Sequence, residues 1–442
     1  MPKQSKFIIP HPQTLGLAIL AVLFLFPVAA WGAGEEQRFP TPEFESEYSL
    51  PVQTHPGTGH VAREYADVVF LLLALGLATW GAVRRRSRRG IFLVLLLSLF
   101  YLGFWRQGCV CPIGAIQNVT LGVADPAYRM PLSILVFFAA PLVTALFFGR
   151  SFCGSVCPLG AIQDLFVFKP VRIPVWAEQG LSIVPVIFLG LAVLFAATGS
   201  GFLICRIDPF VPIFRFSGHF LLIGAGLLVL VMGMFIARPY CRFLCPYAVL
   251  LKWMAALSRW RVTITPDECI RCGLCEDACP FGAIRPPRDP AAVEPREKGI
   301  RRLGVLLLLL PLFTAGGGFL GYSVSDSLAS FNREVRISDK VKGSGPGSPD
   351  MEVRAFQRSA ITAAELHGRA GQKRDEFALG STLLGAFVGL IFGLKLIFLS
   401  LERKQEDYEP DRALCLNCGR CFSYCPVHRK DVRQRDEQRK RK

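Results

Sequence analysis

Two cysteine runs of identical spacing decide how this chain is interpreted. The first is Cys269-x-x-Cys272-x-x-Cys275-x-x-x-Cys279-Pro280, and the second is Cys415-x-x-Cys418-x-x-Cys421-x-x-x-Cys425-Pro426. This is the ligand spacing of bacterial ferredoxins, in which three closely spaced thiolates hold one cluster and the fourth reaches another. Paired zinc knuckles do not predict this spacing twice, and structural disulfides are not expected for runs on the reducing side of a membrane. The runs therefore predict two 4Fe-4S clusters.

The two runs are expected to form one two-cluster module. An apolar hairpin separates them in the sequence and returns the second run to the side of the first. If the usual crossing applies, the runs exchange their fourth ligands. One cluster would then be held by Cys269, Cys272, Cys275 and Cys425, and the other by Cys415, Cys418, Cys421 and Cys279.

The composition indicates a membrane protein. Of the 442 residues, 52% are hydrophobic and 19% are charged, yet the formal net charge is +16. Soluble chains are about a quarter charged, and disordered chains have low hydrophobicity. The excess Lys and Arg lie between apolar runs, where membrane topology explains them better than nucleic acid does. We therefore expect no nucleic-acid partner.

Eight apolar stretches approach the length of about 20 residues that a membrane span needs. They lie near 15–31, 67–83, 91–106, 132–148, 181–200, 219–237, 303–322 and 379–401. The predicted fold is an all-α polytopic membrane bundle of about seven to eight transmembrane helices. A small α+β ferredoxin-like two-cluster module is expected on the cytoplasmic side.

The distribution of Lys and Arg orients the chain in a bacterial inner membrane, with both ferredoxin runs in the cytoplasm. Residues 1–33 predict a signal peptide or a signal anchor, and the sequence leaves both open. The Ser, Gly and Pro content of 323–378 indicates a flexible exposed loop.

The predicted segments after 1–33 are a periplasmic segment 34–66, a transmembrane core 67–260, ferredoxin loop 1 at 261–300, a transmembrane helix 301–322, the periplasmic loop 323–378, a transmembrane helix 379–401, and ferredoxin loop 2 with a basic tail at 402–442.

A second motif occurs twice in the transmembrane core, as Cys153-x-x-x-Cys157-Pro158 and Cys241-x-x-x-Cys245-Pro246. Proline favours the first position of a helix, so the preceding cysteine should lie at a helix N-terminus, where the dipole stabilises a thiolate. The four CxxxCP thiolates suffice for one iron–sulfur cluster or a metal ion. The alternative is that they are buried, inert cysteines that act as small apolar residues.

An internal repeat extends the pattern to the other membrane face. The segment 111–118 nearly duplicates 157–164, with Cys109 placed two residues before Cys111. The span count puts this copy and Cys205 on the outer face, opposite its duplicate. Cys109, Cys111 and Cys205 could form a redox or metal site there. The alternative is a disulfide, which that compartment permits, with one thiol left over.

At these motifs the chain resembles the NapH/NosR-type membrane polyferredoxins, which include RdxA/CcoG-type proteins. The resemblance covers roughly 91–280 and the second ferredoxin run, through several spans, two CxxxCP motifs and the ferredoxin ligands. It implies membrane-bound electron transfer from quinol or cytoplasmic donors to periplasmic respiratory reductases, or a role in their maturation. The chain departs from the family because a hairpin separates its ferredoxin runs and no flavin-attachment motif is evident.

The sequence thus predicts an iron–sulfur protein that relays electrons between a cytoplasmic or quinol donor and a periplasmic or membrane redox partner, such as a reductase or cytochrome. A quinol dehydrogenase or an electron-transfer subunit would fit this role, with quinone as a further cofactor. The alternative is a redox-sensing or assembly factor for a respiratory reductase. No nucleotide-binding glycine motif or hydrolytic constellation is evident, so no catalytic residue is assigned.

Overall fold

The computed structural model describes residues 61–108, 111–126, 128, 130–168, 170–171, 173–264, 269–287, 296–343, 350–358, 361–400 and 407–427. The first predicted span, Cys109 and the basic tail beyond 427 lie outside the described residues. The helices before the first ferredoxin run are α1 Val61–Val83, α2 Arg88–Ser98, a π-helix Leu99–Trp105, α3 Pro112–Ala124, α4 Leu132–Phe148, α5 Ser151–Ser155, α6 Pro158–Leu165, α7 Val175–Leu181, α8 Val184–Ala197, α9 Leu203–Ile207, α10 Val211–Arg215, α11 Phe220–Gly233, α12 Pro239–Phe243 and α13 Pro246–Ala256.

The remaining elements carry the two ferredoxin runs and the hairpin between them. They are α14 Leu274–Asp277, β1 Ile284–Arg285, α15 Arg296–Ser323, α16 Ser325–Ala329, α17 Arg333–Gly343, α18 Met351–Gln357, α19 Ala363–Ser400, β2 Glu409–Pro410 and α20 Arg420–Tyr424.

Within the described residues, five helices are long and apolar enough to cross a membrane. They are Ala62–Val83, Arg88–Trp105, Trp176–Ala197, Glu297–Ser323 and Ala363–Ser400. The apolar helices Leu132–Phe148 and Phe220–Gly233 are shorter than the others. All seven overlap stretches that the sequence predicts as spans, so the multi-pass membrane character is confirmed. A total of seven or eight spans remains a prediction.

The hairpin of α15 and α19 is packed through small residues. A side chain on Gly317 or Gly321 would collide with the backbone of Gly385 or Ser381 on the facing helix. Such close backbone approach is typical of helix pairs in membranes. There, van der Waals packing through small residues drives helix association, because lipid provides no hydrophobic effect between helices. The hairpin contacts the rest of the bundle mainly through α19 and α8.

The segment 323–378 differs from the predicted flexible loop. Its described residues form α16, α17, α18 and the first turns of α19. Ala329, Val335 and Phe377 are fully buried in an apolar cluster with Phe195 and other residues. The prediction was wrong for these residues because their apolar side chains recur at helical intervals and are buried. Most of the Gly-, Ser- and Pro-rich run at 343–349 lies outside the described residues.

A two-stranded antiparallel sheet joins the two ferredoxin runs. Ile284 pairs with Pro410, and Arg285 pairs with Glu409. The ladder continues where the backbone N–H of Asp411 donates to the carbonyl of Ala283 at 2.7 Å. The chain that leaves the first run is thereby bonded to the chain that enters the second run, although more than a hundred residues separate them.

Candidate metal centres

The cysteines of the first run share a small pocket with the last cysteine of the second run. Its lining includes Cys269, Cys272, Cys275 and Cys425, together with Tyr408. Three cysteines thus come from one run and one from the other.

The second group has the reciprocal composition. Cys421 lies within electrostatic reach of Cys415, Cys418 and Cys279. Cys279 also lies within reach of Cys418. The two groups therefore have the membership that crossed ligation requires, with each run supplying three cysteines to one group and one to the other.

Both runs fold the same way locally. Gly273 and Gly419 follow the second cysteine of each run and adopt positive φ angles of 76° and 74°. Glycine adopts this left-handed conformation at little cost. Each glycine is the N-cap residue of a short helix, α14 or α20, that carries the third cysteine. The tight turn places all three cysteines of a run around one small volume.

The CxxxCP cysteines form a third group, inside the bundle. Cys245 lies within electrostatic reach of Cys241, Cys157 and Cys153, and each of the four is only 7% exposed. Cys157 and Cys245 are the N-cap residues of α6 and α13, each with proline at the start of the helix. The predicted position at a helix N-terminus is therefore confirmed for both.

Gln163 lines this third group. Its Nε2 donates to the Sγ of Cys241 at 3.4 Å and to the carbonyl of Leu159 at 2.8 Å. Its Oε1 accepts from the backbone N–H of Tyr240 at 3.1 Å. The side chain is fully buried, and its amide fixes the Cys241 segment against α6. Sequence reasoning missed this residue, which is the last but one of the duplicated segment.

The second ferredoxin run packs directly on the CxxxCP group. A side chain on Gly154, between Cys153 and Cys157, would collide with the carbonyl of Leu416. The amide of Asn417 donates to the carbonyl of Phe148 at 2.6 Å. The guanidinium of Arg150 donates to the carbonyl of Ala413 at 3.3 Å. Close backbone approach and side-chain hydrogen bonds to backbone carbonyls therefore hold the second ferredoxin group against the third group.

A buried carboxylate joins three arginines at this contact. Asp164 lies 3.1 Å from both Arg88 and Arg420 and 3.5 Å from Arg238. Burial alone would raise the pKa of Asp164, but the three guanidinium groups lower it to about 2. The arginines come from α2, from the residue just before α12 and from the second run, so a single side chain links the bundle to the ferredoxin residues.

Arg238 faces two cysteine groups at once. Its guanidinium donates to the carbonyl of Cys153 and, at 3.3 Å, to the carbonyl of Gly154. It also lies within electrostatic reach of Cys418 and Cys241. From the sequence, Arg238 is expected either to balance the charge of a cluster or to be a basic residue at the membrane interface. The structure places its charge between two groups of thiols.

Cys111 belongs to a fourth group. It is the N-cap residue of α3 and lies within electrostatic reach of Cys205 and Asp208. Its predicted partner Cys109 lies outside the described residues. Cys157 also lies within electrostatic reach of Cys111. The fourth group is therefore close to the third group rather than isolated at the far end of the bundle.

The donor chemistry of the ferredoxin groups fits iron–sulfur clusters. Burial raises the pKa of the Cys415 thiol to about 12 and that of Cys275 to about 11. Neighbouring thiols contribute to both shifts. Thiols with such a high pKa are protonated at neutral pH when no metal is bound. A bound metal ion reverses this, because a coordinating thiol is deprotonated. Within the described part of the chain, no three His, Cys, Asp or Glu side chains are arranged to hold a single metal ion.

Comparison with protein families supports the chemistry of three of these groups. Models described as "4Fe-4S binding domain" match residues 262–285 and 412–428, which hold the ferredoxin runs. A third such model matches 130–173 and 217–265, which include all four CxxxCP cysteines. The chain is an iron–sulfur protein.

Curated relatives match parts of the chain. NirI of Paracoccus denitrificans is 30% identical over 243 residues, which are 50% of this chain and 36% of that protein. YccM of Escherichia coli, named a putative electron transport protein, is 37% identical over 67 residues, which are 15% of this chain and 18% of that protein. An uncharacterised protein of Methanocaldococcus jannaschii is 24% identical over 194 residues, 42% of this chain and 79% of that protein. The chain spans about a third or less of NirI and YccM. No solved structure matches it.

Proposed function

We propose that this protein transfers electrons between a donor at the ferredoxin runs and a redox partner on the opposite face of the membrane. The observation that carries the proposal is the series of cysteine groups. Cys279 and Cys418 belong to the second group, Arg238 lies between Cys418 and Cys153, and Cys157 lies within reach of Cys111. The second, third and fourth groups of the series thus lie within electrostatic reach of one another.

The residues proposed to hold the cofactors are the cysteines of these groups. The first two groups would hold two 4Fe-4S clusters. The third group would hold an additional iron–sulfur centre, and the fourth a further redox centre. When bound, such clusters supply one-electron transfer over a range of potentials set by charge, hydrogen bonds and solvent exposure. The proposed ligands are Cys269, Cys272, Cys275 and Cys425; Cys415, Cys418, Cys421 and Cys279; Cys153, Cys157, Cys241 and Cys245; and Cys109, Cys111 and Cys205.

The protein contributes fixed positions and fixed charges. The contact between Gly154 and Leu416 sets the separation of the second and third groups. The positive charge of Arg238 and the hydrogen bond from Gln163 to Cys241 lie next to the thiols that would carry the negative charge of a cluster. Such interactions favour the reduced state and raise the potential of a centre.

The proposed setting is a bacterial inner membrane, with the ferredoxin runs in the cytoplasm and a reductase or cytochrome as the partner outside. A cytoplasmic donor and quinol are the two candidate sources of electrons. Steady-state turnover tests the proposal. The purified protein, reconstituted in liposomes, should pass electrons from reduced ferredoxin or quinol to an acceptor on the opposite side. A single turnover followed by arrest would instead favour a redox-sensing or assembly role.

A further inference from the structure

The two copies of the internal repeat contact the rest of the bundle in the same way. In the copy at 157–164, Gln163 accepts a hydrogen bond from the backbone N–H of Tyr240 at 3.1 Å. In the copy at 111–118, Gln117 accepts one from the backbone N–H of Ile204 at 3.0 Å. Both glutamines are fully buried. Tyr240 directly precedes Cys241 and Ile204 directly precedes Cys205, so each repeat holds a segment with a cysteine at the same position.

The two segments that the glutamines hold are also alike. Pro239–Phe243 and Leu203–Ile207 are both helices of five residues, with cysteine third and arginine fourth. Cys205 is therefore the structural counterpart of Cys241, as Cys111 is of Cys157. The resemblance between the copies thus extends beyond the duplicated sequence to the elements that each copy contacts.

The counterpart of Cys245 is an aspartate. The pair Cys245-Pro246 begins four residues after Cys241, and the pair Asp208-Pro209 begins three residues after Cys205. Asp208 is buried and lies within electrostatic reach of Cys111. Its carboxylate accepts hydrogen bonds from the hydroxyl of Tyr240 at 3.1 Å and the backbone N–H of Phe210 at 2.9 Å.

The surroundings of Asp208 leave a role for a bound cation. Its ion-pair partners would have to be Lys, Arg or His, and none of those in the described part of the chain pairs with it. A buried carboxylate is costly unless a cation or a metal compensates its charge. Metal-bound carboxylates commonly keep hydrogen bonds like those from Tyr240 and Phe210, because these hold the ligand in orientation.

A buried amide near this carboxylate has no hydrogen-bond acceptor in the described part of the chain. The Nε2 of Gln163 donates to the Sγ of Cys241, but the Nε2 of Gln117 is buried and has no acceptor among the described residues. Buried donors of this kind are rarely left unpaired. The amide that binds a cysteine sulfur in one copy is therefore without an acceptor in the other.

We propose that Cys111, Cys205 and Asp208 are ligands of an iron–sulfur cluster at the start of α3, with Gln117 as a hydrogen-bond donor to it. Asp208 takes the place that Cys245 has in the CxxxCP group. This inference extends the proposed function, because it assumes that the CxxxCP group itself holds a cluster.

Iron and acid-labile sulfide content, with EPR redox titration, tests the site in the full-length protein. Cys205→Ser and Asp208→Asn should each lose one cluster's iron and sulfide and the EPR signal of one centre. Asp125→Asn is the matched control, since Asp125 is an exposed carboxylate at the end of the same helix. It should lose neither.

A ligand-exchange variant distinguishes coordination from a structural role. Asp208→Cys should restore the iron content and change the EPR signal and potential of that centre alone, because a thiolate replaces a carboxylate. Signals of the ferredoxin groups report that each variant is folded. Full iron content and an unchanged signal in Asp208→Asn would overturn the inference.

The failure of this inference can be told apart from failure of the proposed function. If Cys157→Ser loses a cluster while Cys205→Ser and Asp208→Asn lose none, only the Asp208 site is refuted. If Cys157→Ser also loses none, the CxxxCP group holds no cluster, and the proposed function fails with it.

Discussion

The guanidinium of Arg238 lies 3.5 Å from the carboxylate of Asp164, and both side chains are buried. Arg238 follows α11 and contacts the CxxxCP segment, whereas Asp164 also binds Arg420 of the second ferredoxin run. The pair therefore stands where the membrane bundle meets the ferredoxin residues. The charge of Asp164 helps to attach the second ferredoxin run to the bundle, and the charge of Arg238 acts on the neighbouring thiols.

Substitution of Asp164 by asparagine should weaken this attachment strongly. The change leaves three buried or half-buried guanidinium groups without their carboxylate, and breaking a buried pair costs about 3–5 kcal/mol. Denaturant unfolding monitored by the visible absorption of the clusters measures the loss. Glu178→Gln is the control, because Glu178 forms one partly exposed pair with Arg242 at 2.6 Å. Such pairs contribute about 0–1 kcal/mol, and equal losses in both variants would contradict the account.

Substitution of Gly154 by alanine should displace the second ferredoxin run from the bundle. The added methyl group would occupy the space of the Leu416 carbonyl, and overpacking of this kind costs about 1–3 kcal/mol. We expect a lower midpoint of thermal unfolding and slower electron transfer with an unchanged iron content. Gly224→Ala is the control, because a side chain there would meet no atom of another described element within 4 Å. A Gly154 variant that behaves like the control would refute the proposed contact.

The crossed membership of the ferredoxin groups makes a reciprocal prediction. Cys425→Ser should damage the centre that contains Cys269, Cys272 and Cys275, because Cys425 shares their pocket. Cys279→Ser should damage the centre that contains Cys415, Cys418 and Cys421. EPR of the reduced variants distinguishes the two centres. If each substitution instead removed the signal of its own run, the crossing would be wrong.

Features that depend on local spacing were predictable from the sequence. The Cys-x-x-Cys-x-x-Cys runs form tight turns because only a few residues and a glycine separate their ligands. Pro158 and Pro246 fix the start of a helix, so Cys157 and Cys245 had to be N-cap residues. The long apolar helices were equally evident, since their length and composition are properties of single segments.

Features that depend on distant partners were not predictable. In the sequence, Asp164 is only the last residue of the duplicated segment 157–164, and its partner Arg420 is 256 residues away. The close approach of Gly154 to Leu416 leaves no trace in either local sequence. The equivalence of Cys205 and Cys241 also escaped the sequence comparison, because it lies in what Gln117 and Gln163 contact rather than in a long stretch of identical residues.

Electron flow in a Cys157→Ser variant tests the central claim most directly. The measurement follows electrons from the reduced ferredoxin groups to an acceptor on the opposite side of a liposome membrane, with EPR of the ferredoxin centres in the same sample. The account predicts that transfer is abolished while both ferredoxin signals persist, because Cys157 lies between the ferredoxin groups and Cys111 in the series. Transfer at the unchanged rate would contradict a relay through the CxxxCP group.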